Sequence, residues 1–85
     1  MTRALSEEAA DVLSFLQTRI LDEPCGDADP LAEEWLDSLA MEELIGFLED
    51  RYRIRFDDDE LVAEQFASLE SVAALVRRKR AATAR

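Results

Sequence analysis

Apolar residues fall at helical spacing in three separate stretches of this chain, and nowhere do two strand-like runs exist to pair with each other. Ala9, Val12, Leu13, Leu16 and Ile20 form one series. Met41, Leu44, Ile45, Leu48 and Tyr52 form a second, and Leu69, Val72, Leu75 and Val76 a third. A period near 3.6 lines such residues along one side of a helix, and each apolar stripe must then be covered by another element. The one alternating run is Ile54 and Phe56 between Arg53 and Arg55. A lone strand leaves its backbone groups without partners. We therefore read this run as an extended connector with both apolar residues turned inward, and the chain as all-α.

The boundaries follow from capping chemistry. Ser6 is placed to cap the first helix, with Glu7 and Glu8 in the first turn, and that segment stops before Pro24. The second helix is expected from about Ser38 to Tyr52. Asp57-Asp58-Asp59-Glu60 opens a short third helix through about Glu64, since acids suit a helix N-terminus. Ser68 caps the last. The expectation is a small four-helix bundle, three main helices plus the short third one, with a long first loop. At about fifteen residues from Asp22 to Asp37, that loop exceeds most connections. Gly26, Asp27, Asp29 and Pro30 break it. Leu31 and either Trp35 or Leu36 are expected to pin it to the core, and core packing is the expected use of Trp35.

Eighty-five residues make a single domain, 1–85, too small to wall off a deep cavity. The charge is lopsided. Residues 1–76 hold all twenty acids and five of the ten bases, a balance of −15. Such a body repels nucleic acid and attracts basic protein surfaces. Arg77, Arg78, Lys79, Arg80 and Arg85 form a basic tail with no interleaved aromatics. We read 77–85 as a frayed, solvated helix end rather than a nucleic-acid element. No apolar run is long enough for a membrane span, and no secretory leader is evident. Cys25 is the only cysteine and has no partner for an internal disulfide. A cytoplasmic monomer is expected.

Enzyme chemistry finds little support. There is no histidine for a Ser-His-Asp arrangement, no base beside the lone cysteine, and no glycine-rich phosphate loop. The acids read as an exterior rather than as two carboxyls in contrasting environments. Asp57–Glu60 lacks the order of a calcium loop: Leu61 and Val62 stand where a ligand and a glycine belong. No metal site is expected. What remains is Ser38, an exposed serine at a helix start among acids.

From Asp37-Ser38-Leu39 onward the sequence resembles the acyl carrier protein family, including its polyketide and peptidyl-carrier relatives. Glu43-Leu44, Leu48-Glu49-Asp50, Tyr52 and Ile54 fit the family's second-helix pattern. Phe66-x-Ser68-Leu69-x-x-Val72 fits the approach to its last helix, and the resemblance spans roughly residues 6 to 77. It implies that Ser38 carries a 4′-phosphopantetheine arm, taken from coenzyme A by a separate Mg²⁺-dependent phosphopantetheinyl transferase. It implies a shuttle, not an enzyme, that serves acyl-loading and acyl-accepting partners of acyltransferase, ligase or ketosynthase type. Partner docking is assigned to the outward face of the second helix: Asp37, Leu39, Glu42, Glu43, Gly46, Glu49 and Asp50. Glu42 and Gly46 stand where relatives are usually apolar, and Trp35 where many have glycine. These departures favour a dedicated carrier for a small polar unit in polyketide or other natural-product biosynthesis. A housekeeping fatty-acid carrier and an aminoacyl or peptidyl carrier stay open. So does an acidic helical adaptor without a prosthetic group, for which Ser38 is no more than an N-cap.

Overall fold

Ser6 begins the first helix as its position predicts. Its hydroxyl accepts from Ala9 N–H at 3.2 Å. Its own N–H and hydroxyl donate to the Glu70 carboxylate at 3.1 and 3.0 Å, fastening this cap to the start of the last helix. The computed structural model describes residues 5–83. Among them are three α-helices and no strand: α1 (Glu7–Phe15), α2 (Ser38–Tyr52) and α3 (Leu69–Thr83).

The first segment does not stay α-helical up to Pro24. From Leu16 to Ile20 it widens into a π-helical turn. Thr18 Oγ1 donates to Ser14 C=O at 2.8 Å, competing for a carbonyl of the helical ladder, and Leu21 N–H reaches back five residues to Leu16 C=O at 2.8 Å. Asp22, left-handed at φ 55°, ends it.

The long loop has structure of its own. Asp29 Oδ1 accepts from Leu31 and Ala32 N–H, both at 3.1 Å, and so starts a single helical turn over residues 30–34. Glu34, left-handed at φ 58°, closes that turn, with Trp35 N–H on Pro30 C=O and Glu34 N–H on Leu31 C=O. The same Asp29 carboxylate accepts from Leu69 N–H at 3.0 Å, at the start of α3. Pro30 and Leu31 are buried and Leu36 is half-buried, as a pinned loop requires. Trp35 corrects the expectation of core packing: it is 49 % exposed.

α2 ends at Arg53, left-handed at φ 58°, where the N–H groups of Arg53 and Ile54 both turn back to Glu49 C=O. Ile54 and Phe56 then enter the core from an extended connector, as read from the sequence.

The four-helix bundle is not found. The expected short third helix is a single 3-10 turn, Asp58–Glu60, followed by bends and turns. Its only large apolar side chains, Leu61 and Val62, are adjacent and so point to different faces, leaving no stripe to bury. They are 39 and 40 % exposed. Glu60 instead folds its carboxylate back to accept Asp57 N–H at 2.8 Å and pairs with Lys79 at 2.9 Å. The Asp57 amide and then Lys79 hold the Glu60 carboxyl below its usual range, while Glu60 pushes the Lys79 ammonium up.

Ser68 caps α3, accepting from Ser71 N–H at 3.0 Å. The basic residues 77–80 continue α3. The tail is helical through Thr83, and its remaining residues, Ala84 and Arg85, lie outside the described ones, as do 1–4. Leu16, Leu44, Leu48, Leu69, Val72, Leu75 and Val76 are fully buried together. Each contributes about 1.5–3 kcal/mol of burial. Phe47, off the stripe read from the sequence, stacks on Phe15 with centroids 4.3 Å apart, and Phe56 meets Phe66 edge-on at 6.0 Å.

A polar clasp fastens α3 to the other two helices. Glu8, 7 % exposed, pairs with Arg77 at 3.3 Å and Arg80 at 2.9 Å. The Arg80 guanidinium lies 4.9 Å from the centre of the Tyr52 ring, and the Tyr52 hydroxyl donates to Asp11, which also pairs with Arg51 at 3.4 Å. Burial, and then the Asp11 carboxylate, push the Tyr52 phenol up to about 12.

Candidate functional site

The start of α2 is capped by Asp37, not by Ser38. The Asp37 backbone is extended, its Oδ1 accepts from Ala40 N–H at 2.8 Å, and its C=O takes the first helical bond from Met41 N–H at 2.9 Å. Ser38 is therefore the first helical residue. Its side chain is exposed, and among the described residues its hydroxyl has no hydrogen-bond partner. Reading Ser38 as merely an N-cap fails, because the neighbouring aspartate already performs that task.

The chemistry open to this hydroxyl is limited. The chain has no histidine to take its proton, so a base must come from elsewhere. The unsatisfied amides of the first helical turn favour an anion on Ser38, and the Asp37 carboxylate opposes it. A phosphate held there is best balanced by a cation approaching from outside.

The outward face of α2 brings together most of the residues assigned to docking. Leu39, 67 % exposed, stands beside Ser38. Glu42, Glu43, Gly46 and Asp50 follow at helical spacing, all exposed. Among the described residues no cation pairs with these acids. A side chain at Gly46 would meet open space, so no internal contact demands a glycine there. In an exposed helix it costs about 1 kcal/mol against alanine. Glu49 is different. It is half-buried, and its carboxylate accepts Phe56 N–H at 2.9 Å, holding the connector beyond α2. Asp37 is likewise engaged in capping.

Two cavities flank the stretch leading into Ser38. A cleft of about 450 Å³ is lined by Pro30, Leu31, Leu36, Met41, Ala63 and Phe66 among others. A slot of about 350 Å³ is lined by Leu21, Glu23, Pro24, Cys25 and Trp35. Trp35 and Leu36 are consecutive, non-helical residues, and they line different cavities, Trp35 the slot and Leu36 the cleft.

Asp29 was not read from the sequence as part of this arrangement. The signal was an aspartate just before proline, which suits the first position of a helical turn. Among the described residues no group of histidine, cysteine, aspartate or glutamate is arranged to hold a metal ion, and no helix is long and apolar enough to cross a membrane. Compared with protein-family models, curated protein sequences and solved structures, the chain gives no match in any of the three.

Proposed function

We propose that the chain is a carrier protein that holds an acyl group as a thioester on a 4′-phosphopantetheine arm at Ser38. The observation that carries this reading is the division of labour at the start of α2. Asp37 caps the helix, while Ser38 offers an exposed hydroxyl with no structural task. The residues present fit the group: the serine is accessible, and Leu39, Glu42 and Glu43 give a partner an apolar point and negative charge beside it. The arm supplies a thiol that activates the acyl group and keeps it at high local concentration. The chain's own residues present it, and partner enzymes do the bond chemistry. A partner with a basic surface is drawn to the acids of α2 and brings a cation to the serine.

Coenzyme A and its transferase are cytoplasmic, and the reading places the chain there. The sequence departures at Trp35, Glu42 and Gly46 favour a dedicated carrier in natural-product biosynthesis over a general fatty-acid carrier. The test is intact mass after incubation with coenzyme A, Mg²⁺ and a broad-specificity phosphopantetheinyl transferase. One phosphopantetheine increment is expected, lost in Ser38→Ala. An unchanged mass in the folded wild-type chain sinks the reading and leaves the acidic adaptor.

A further inference from the structure

The slot beside Trp35 has the makings of a ligand site that the carrier reading does not use. It is lined by Leu21, which follows the π-helical turn, and by the loop residues Pro24, Cys25 and Trp35, with Glu23 as the one charged residue. An indole left 49 % exposed is a large apolar surface facing water. Its position matters more than its size. Trp35 precedes Ser38 by three residues, so the two Cα atoms are separated by at most roughly 11 Å. A phosphodiester followed by a pantetheine chain is longer than that when extended.

We propose that this slot receives the acyl group carried on Ser38, and that it takes a small, uncharged acyl group whose apolar body covers the Trp35 ring. The inference rests on the carrier reading. Attachment forms the Ser38 Oγ–phosphorus bond, breaks the pyrophosphate bond of acyl-coenzyme A, and releases adenosine 3′,5′-bisphosphate and the serine proton. The acyl group is then held near the slot at a local concentration on the order of millimolar, enough to fill a weak site. Leu21, Pro24 and Trp35 offer apolar contact, while Glu23 repels a second carboxylate. The slot thus selects against carboxylated acyl groups and favours an apolar body, which departs from the small polar unit expected from the sequence.

Trp35 is the chain's only tryptophan, so its emission reports the slot directly. The wild-type chain is loaded by the transferase from coenzyme A, butyryl-coenzyme A or malonyl-coenzyme A, with loading verified by mass. Acrylamide quenching of Trp35 is expected to fall roughly twofold with the butyryl group, because the exposed half of the indole becomes covered. The bare arm and the malonyl group are expected to leave it unchanged. Backbone amide shifts in the butyryl form should concentrate at residues 21–25 and 35. Full loading with unchanged quenching, or with shifts at Met41, Ala63 and Phe66 instead, overturns the slot and leaves the carrier reading standing. Equal shielding by malonyl overturns the assigned acyl class. Failure of loading removes the carrier reading and the slot with it.

Discussion

At the end of α3, Arg77 and Arg80 converge on one buried carboxylate, Lys79 reaches Asp57 and Glu60, and Arg78 donates to Gln65 at 3.2 Å. Along the outward face of α2, Glu42, Glu43 and Asp50 meet no cation among the described residues. The two regions carry opposite charge and lie in one small molecule, yet they do not neutralise each other. The bases are consumed in holding helices together, and the acids are left to act on whatever approaches. Charge on a surface is therefore informative only once its partners are known. By count alone the basic tail was the more conspicuous cluster, and the structure gives it an internal use.

The comparison breaks first at Glu8. Glu8→Ala leaves two guanidiniums without their carboxylate at the α1–α3 junction and is expected to cost about 2 kcal/mol in urea unfolding, less than for a fully buried pair because both arginines are half exposed. A loss below about 0.5 kcal/mol, as for an ordinary surface pair, denies the clasp its role.

A second break comes from alkali. Tyr52 ionises in the folded chain only near pH 12, against 10.0 in the unfolded one. Its folded value is raised, so its stabilisation is complete below pH 10.0 and is lost as the pH rises towards 12. Tyr52 is the only tyrosine, and tyrosinate absorbance should appear late and together with unfolding. Ionisation near pH 10 in a chain still folded by circular dichroism contradicts the burial of Tyr52 together with its Asp11 contact.

The smallest effect on stability is expected on the free face. Glu43→Lys should change unfolding by less than about 0.5 kcal/mol. It should slow transfer from coenzyme A and flatten the dependence of that rate on salt. A rate equal to wild type at every ionic strength removes the acids from docking.

Much of this was legible in the chain. The three apolar stripes, the caps at Ser6 and Ser68 and the inward turn of Ile54 and Phe56 depend on local spacing, which a sequence displays. The errors share a different character. The missing helix over Asp57–Glu64 is an exception: its adjacent Leu61 and Val62 leave no stripe to bury, which the sequence displays, while the Glu60–Lys79 pair is a long-range contact that it does not. That Arg77 and Arg80 have an internal use depends on Glu8, 69 and 72 residues earlier in the chain. Glu49 and Asp50 are neighbours of like charge, and only the fold of the connector turns Glu49 towards Phe56 N–H. At the candidate site the triplet Asp37-Ser38-Leu39 was visible, but which of the first two caps the helix was not. Trp35 was misplaced because size and apolarity suggest burial, while the left-handed turn at Glu34 closes the helical turn just before it.

Asp29 binds Leu69, forty residues away, and Ser6 binds Glu70. The loop that delivers the chain to Ser38 is thus completed by the first turn of α3. On a ribosome Ser38 is made before that turn exists, so its surroundings must wait for later residues to be synthesised and docked. On the carrier proposal, an enzyme that modifies Ser38 by reading the folded α2 face meets that face only after α3 has been placed.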